Sequence, residues 1–128
     1  MYIKFEKKKE HLIVALTGEL DHHNAEDSRM KIDDKIDREN IKHLIMDFSG
    51  VTFMDSSGIG VVIGRYKKLK VKNGSLVITS LNKNVKRIFE LSGMFKIIST
   101  FNSLDEAVKN IWWRGRYGRE QDENRIFK

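Results

Sequence analysis

The chain has 128 residues, a formal net charge of +6, 40% hydrophobic residues and 33% charged residues. These values fit one hydrophobic core with a well-solvated surface, and they exclude a disordered chain, a collagen-like chain and an enzyme with a separate substrate domain. The sequence has no cysteine, which excludes disulfides, thiolate metal sites and a cysteine nucleophile.

The sequence favours a cytoplasmic protein that does not contact membranes. No apolar run approaches the ~20 residues that cross a bilayer, and the amino-terminal residues lack a signal-peptide core. The basic charge is scattered over predicted helix faces, and no recognition helix or RNA-binding signature is present. A protein partner is therefore favoured over direct binding of nucleic acid.

The first third of the chain predicts a hairpin followed by a helix. Residues 2–7 and 12–17 read as strands, with a turn at the charged residues 8–10 and with Gly18 ending the second strand. Asn24 is predicted to cap the first helix. The residues at helical spacing in that helix are Ala25, Ser28, Ile32 and Ile36.

The middle of the chain predicts a third strand and a long second helix. The strand covers residues 44–48, and a loop over 49–55 leads to a helix that begins at Ser56 or Ser57. The helix ends at Asn73-Gly74. Its apolar stripe consists of Ile59, Val62, Ile63, Tyr66 and Leu69.

The remaining elements complete an α/β fold. We expect a strand at 76–79, a helix closed by Gly93, a strand at 96–100 and a last helix that begins with the capping box 103–106. The order is β-β-α-β-α-β-α-β-α, which predicts a mixed, mostly parallel sheet with one antiparallel hairpin strand. Residues 1–113 are predicted to form the domain, and residues 114–128 a flexible basic tail.

The predicted topology places a functional site at one edge of the sheet. A right-handed crossover makes the second and third strands parallel, so they end at the same edge. That edge carries residues 18–23, residues 47–55 and the start of the second helix. Functional sites of open α/β sheets lie at the carboxyl ends of the strands.

Ser56 is the candidate for chemistry at this edge. A helix start offers free N–H groups and a positive dipole, so it accepts an anion. Phosphorylation would add about −1.5 to −2 charges at pH 7, on a face where Glu19, Asp21, Asp47 and Asp55 are predicted to concentrate negative charge. The residue types alone favour ordinary helix caps at Asp55 and Ser56, since capping residues are common at helix starts.

Two other kinds of site are weakly indicated. The glycines at 58, 60 and 64 miss the spacing of a dinucleotide-binding loop, and no Lys-Ser/Thr follows them, so close helix packing at Gly60 and Gly64 is the preferred interpretation. His22 and His23 have no third metal ligand at a suggestive spacing and no complete catalytic set, so they are interpreted as surface-loop residues. We expect no metal, no cofactor and no catalytic residue.

Three segments together resemble the STAS-domain anti-anti-sigma factors, and most closely the sporulation members of that family. They are Gly-Glu-Leu-Asp-His-His at 18–23, Asp-Ser-Ser-Gly within 53–67, and Ser-Gly-Met-Phe-Lys-Ile-Ile at 92–98. The resemblance covers residues 1 to about 113. The fold that it implies is the STAS fold, which agrees with the predicted element order.

The resemblance also implies a partner-switching role. In the family, the unphosphorylated protein binds an anti-sigma factor that is a serine kinase, and the sigma factor is released. The kinase phosphorylates the first serine of Asp-Ser-Ser-Gly, here Ser56, and a PP2C-type serine phosphatase resets the cycle. The implied partner-binding residues are Glu19, Asp21, His22, Asp55, Ser56, Ser57, Gly58 and Ile59, with Ser57 expected to cap the second helix.

An alternative function stays open at this point. The same edge would suit a STAS ligand-binding module that senses a nucleotide or another small molecule.

Overall fold

The computed structural model describes residues 1–8 and 11–113, with side chains described to residue 110. The predicted tail at 114–128 lies outside the described residues, so the domain boundary at 113 stays a prediction. The elements are β1 (Tyr2–Lys8), β2 (His11–Leu20), α1 (Ala25–Arg38), β3 (His43–Met54), α2 (Ser56–Val71), β4 (Ser75–Thr79), α3 (Lys83–Leu91), a 3-10 turn (Met94–Lys96), β5 (Ser99–Phe101) and α4 (Leu104–Trp113).

The five described strands form one sheet in the order β1-β2-β3-β4-β5. β1 pairs with β2 in antiparallel fashion, and the other three pairs are parallel. The predicted α/β class, element order and hairpin are therefore confirmed. The strand order follows the chain order without any reversal.

The helices divide between the two faces of the sheet. α1, α2 and α3 contribute Ile32, Val62 and Phe89 to one large core cluster. α4 contributes Ala107 to a smaller cluster on Ile13, Ile45 and Val77. Side chains of successive strand residues point to opposite faces, so both clusters draw on the same strands. The central strands are apolar on both faces, as parallel strands covered on both sides require.

Three predicted strand boundaries are wrong. Gly18 does not end β2, since the strand continues to Leu20 through an irregularity at Gly18, whose φ is +117°. The predicted loop at 49–55 is mostly strand, because β3 continues to Met54 after a register shift. The predicted strand at 96–100 begins only at Ser99, after a 3-10 turn.

The buried face of α2 also differs from the predicted stripe. Val62 and Leu69 are buried as expected, but Val61 and Arg65 are buried as well, while Ile63 is partly exposed. Arg65 Nε lies 2.8 Å from Asp33 Oδ1 on α1. A buried guanidinium requires a partner, so the ion pair explains how a charged residue occupies a position between two packed helices.

Candidate functional site at the carboxyl edge of the sheet

β2 and β3 end side by side and bring two loops together. Leu20 pairs with Met54 in the parallel register, and the backbone N–H of Asp55 donates to the Leu20 carbonyl at 3.4 Å. The segment after β2 therefore lies against the start of α2. The predicted meeting of these two segments at one edge is confirmed.

Asp55 joins the two segments with its carboxylate. Oδ1 accepts from the Ser57 N–H at 2.8 Å and so caps α2, and Oδ2 accepts from the His22 N–H at 3.1 Å. The His22 ring Nδ1 lies 3.6 Å from Oδ2. Partial desolvation raises the pKa of Asp55, but the hydrogen bonds from Ser57 and His22 outweigh it and hold that pKa below its ordinary value. The carboxylate is therefore ionised at neutral pH.

Asp21 organises the loop after β2 from a buried position. Only 9% of the residue is exposed, and its Oδ1 accepts from the His23 and Asn24 N–H groups at 3.0 and 3.2 Å. Asn24 occupies the N-cap position of α1 as predicted, but its side chain makes no cap hydrogen bond and donates instead to the Glu19 carbonyl and to Asp21 Oδ1. Asp21 is thus held inside the loop, away from the surface.

Ser56 stands exposed as the first residue of α2. Within the described residues its hydroxyl has no hydrogen-bond partner, since Asp55 supplies the cap. The ordinary-cap interpretation is therefore right for Asp55 and wrong for Ser56. The predicted capping role of the Ser57 side chain is also wrong, because Ser57 contributes its backbone N–H.

Gly58 and Ile59 fix α2 against the strand ends. Gly58 is buried, and a Cβ at that position would stand 2.7 Å from the Leu20 carbonyl oxygen and would overlap the Met54 side chain. Ile59 is partly buried against the main core. The predicted close packing at Gly60 and Gly64 is wrong, since a Cβ at either glycine would meet nothing within 4 Å.

The four predicted acids do not form one patch. Glu19 is exposed and Asp55 is half-buried, whereas Asp21 is buried in its loop. Asp47 accepts hydrogen bonds from the Ser49 N–H at 3.0 Å and the Thr79 hydroxyl at 3.3 Å, away from α2. The surface at this edge therefore presents Glu19, His22 and Ser56, supported from beneath by Asp21, Asp55 and Gly58.

The arrangement suits covalent modification of a surface hydroxyl. Ser56 is accessible, it takes no part in the hydrogen bonding of the fold, and it lies where a helix terminus favours an anion. Among residues 1–8 and 11–113, no group of three or more His, Cys, Asp or Glu side chains could hold a metal ion. No helix of this part of the chain is long and apolar enough to cross a membrane.

Phe53 is a feature of this edge that the sequence reasoning missed. The residue was expected in a loop, but it belongs to β3 and its side chain is 48% exposed. An aromatic residue in an apolar run normally reads as core, and nothing in the pattern announces the register shift that turns it outward. Its position two residues before Asp55 was the one feature of the sequence that could have pointed to a place at this edge.

The fold and the edge are those of a STAS domain, whose family model matches residues 2–107. An anti-sigma F factor antagonist of Paenibacillus polymyxa is 39% identical over 111 residues, which are 87% of this chain and 95% of that protein. The solved structure of the anti-sigma factor antagonist SpoIIAA in its unphosphorylated form is 31% identical, with a TM-score of 0.76 over 86% of this chain and 96% of that one.

SpoIIAA of Bacillus has also been solved in its phosphorylated form, at 30% identity and a TM-score of 0.69 over 86% of this chain and 99% of that one. The chain belongs to the STAS-domain family of anti-sigma factor antagonists. The predicted family and fold are thereby confirmed.

Proposed function

We propose that this protein controls a sporulation sigma factor in the cytoplasm by partner switching. The unphosphorylated form binds an anti-sigma factor that is also a serine kinase, and this binding releases the sigma factor. The kinase then modifies Ser56 and the complex dissociates. A PP2C-type serine phosphatase removes the phosphate, and the protein itself performs no catalysis.

The observation that carries this proposal is the exposed, unpartnered hydroxyl of Ser56 beside the Asp55 cap. Ser56 is free to enter a kinase active site because no hydrogen bond of the fold has to break first. In the transfer, a bond forms between Ser56 Oγ and the γ-phosphorus of ATP, the bond from that phosphorus to the β–γ bridging oxygen breaks, and ADP leaves. The hydroxyl proton passes to a base of the kinase. The relatives named as anti-sigma F factor antagonists support an anti-sigma factor as the partner.

The same geometry explains why a phosphate would end the binding. The new dianion would stand next to the ionised carboxylate of Asp55 and near exposed Glu19. Burying it in the contact requires desolvation beside like charges, for which we estimate a loss of roughly 2–4 kcal/mol of binding free energy. That is about 30- to 1000-fold in affinity, which suffices to exchange partners of similar strength.

Mass spectrometry and calorimetry test the proposal directly. The protein is incubated with the purified anti-sigma factor kinase of the same organism, ATP and Mg²⁺, and the phosphate is mapped in peptides. We expect one phosphate on Ser56 and loss of the complex. Ser56→Ala should bind the kinase but stay unmodified, and Ser56→Asp should bind poorly.

Ser57→Ala is the matched control, since the adjacent hydroxyl differs in burial but not in chemistry. It should still accept one phosphate, on Ser56. A phosphate mapped to position 57, or equal binding by Ser56→Asp and the wild type, would contradict the assignment of Ser56.

A further inference from the structure

Phe53 is exposed although it stands between two core residues of β3, Val51 and Met54. Val51 and Met54 are 1% and 0% exposed, whereas Phe53 is 48% exposed between them. A single exposed hydrophobic residue is common on protein surfaces, so it is the location of Phe53 that points to a contact with another protein. Phe53 lies three positions before Ser56.

A bulge in the pairing of β2 with β3 produces this exposure. Gly18 pairs with Val51 and Glu19 pairs with Phe53, so Thr52 is the extra residue on β3. The Thr52 hydroxyl donates to the Gly18 carbonyl at 3.4 Å, and Gly18 takes the positive φ that the irregularity needs. Bulges next to functional sites commonly redirect one side chain, and here the redirected side chain is the phenyl ring.

The bulge also determines which residue of β2 lies opposite Phe53. Phe53 stands directly opposite Glu19, which is exposed, and Glu19 precedes the loop that holds His22 against Asp55. An aromatic residue and an acidic residue therefore stand opposite each other on β3 and β2, and Phe53 precedes Ser56 by three residues in the chain. The chemistry that complements such a pair is an apolar pocket flanked by a lysine or an arginine.

We propose that Phe53 is the apolar anchor of the contact with the anti-sigma factor, entering a pocket on that partner whose rim carries a cation for Glu19. This inference rests on the proposed function and adds a residue that the sequence did not suggest for the interface. A few aromatic residues near the centre of an interface account for most of its affinity. Phosphorylation three residues away would then introduce charge at the rim of the same pocket.

Affinities of single variants for the unphosphorylated complex test the inference. Calorimetry with the purified anti-sigma factor kinase, without ATP, should show that Phe53→Ala weakens binding about 10-fold or more. Phe53→Leu should recover most of the affinity because it keeps an apolar side chain. Glu19→Gln should weaken binding less, and its effect should shrink in the Phe53→Ala background, since the two groups share one contact.

Val71→Ala is the matched control for loss of exposed apolar area. Val71 is 87% exposed at the far end of α2, which is about 22 Å from Ser56 along the helix axis. The affinity of the Val71→Ala variant for the anti-sigma factor should stay within about twofold of the wild-type value. The melting temperatures of Val71→Ala and Phe53→Ala should both stay near that of the wild type. If Phe53→Ala unfolds, Phe53→Thr replaces it, because threonine suits a strand.

The outcomes separate the two proposals. If the wild-type protein binds the anti-sigma factor and the folded Phe53 variant binds it with the same affinity, Phe53 is not the anchor of the contact. The partner-switching proposal is then unaffected. Equal losses for Phe53→Ala and Val71→Ala also overturn the anchor, because they indicate a general effect of truncation. Failure of the wild-type protein to bind the anti-sigma factor overturns both.

Discussion

The two residues at the start of α2, Asp55 and Ser56, have separate roles, because Asp55 caps the helix and leaves the Ser56 hydroxyl exposed. Asp55 satisfies the Ser57 N–H and ties the β2–α1 segment through the His22 N–H. Ser56 is left outside this hydrogen bonding. The proposed phosphate acceptor thus stands on a hydrogen-bonded structure that does not depend on its own hydroxyl.

The role of Asp55 predicts a pH-dependent loss of stability in Asp55→Ala. Loss of an N-cap should lower the free energy of unfolding by about 1 kcal/mol at pH 7. The pKa of Asp55 is below its ordinary value of 3.8 in the folded protein, so the unfolded chain takes up the proton first as the pH falls. The carboxylate therefore stabilises the fold above about pH 3.8, and this contribution is lost as the pH falls through the folded pKa.

Urea unfolding at pH 7, 5 and 3 measures this effect. The difference between wild type and Asp55→Ala should narrow at pH 3. Asp55→Asn is the control, because it keeps a hydrogen-bond acceptor without the charge, and it should lose less stability at pH 7. A difference that stays constant over this range would contradict the assigned role of the charge.

At the scale of elements, the three glycines of α2 differ in whether close packing requires them. Gly58 allows the helix to approach the Leu20 carbonyl at the end of β2, whereas Gly60 and Gly64 have open space where a side chain would be. The spacing of the glycines in the sequence does not distinguish these cases. Gly58 is distinguished from Gly60 and Gly64 only by the position of the end of β2 against α2.

This contrast predicts opposite effects of the same substitution. Gly58→Ala should destabilise the protein by about 1–3 kcal/mol, since the methyl group would displace backbone at Leu20. Gly60→Ala, the matched control two residues further along α2, should stabilise it by about 0.5–1 kcal/mol through helix propensity. Thermal or urea unfolding of both variants decides the matter, and similar signs for the two would contradict the packing described for Gly58.

The type and order of these elements could be predicted from the sequence because periodicity reports burial directly. The ends of β2 and β3 could not, since both strands continue through bulges whose positions depend on pairing between segments about 34 residues apart, as for Gly18 with Val51. The same bulges decide the exposure of Phe53. The burial of Arg65 was missed for a related reason, because its partner Asp33 lies on another helix.

At the scale of the whole molecule, the two faces of the sheet are unequally covered. Among the described side chains, α1, α2 and α3 share the large cluster, while Ala107 of α4 packs in the smaller cluster with Ile13, Ile45 and Val77. Regions that bury little apolar area open at a lower free energy than the global unfolding of the protein. Over residues 104–110, the part of α4 whose side chains are described, only Ala107 is fully buried, so we expect this part of the helix to open more easily than α2, which buries Val61, Val62 and Leu69.

Native-state hydrogen exchange should show this order. Amides of α4 should exchange at least about tenfold faster than those at the centre of β2 and β3, because they open without disrupting the main cluster. Amides of α2 provide the internal comparison, since that helix buries Val61, Val62 and Leu69 in the large core. Equal protection of α4 and α2 would contradict the unequal anchoring.

The unreversed strand order has a consequence for how this molecule can be addressed chemically. Open α/β sheets enclose their ligands in the crevice that forms where the strand order reverses, and the order β1 to β5 contains no such point. The strand order therefore provides no such crevice at the Ser56 edge, and a partner would meet an exposed surface there. A compound selected to block the proposed contact should be a macrocycle or a small folded domain that presents an apolar pocket to Phe53, since the strand order forms no crevice at this edge.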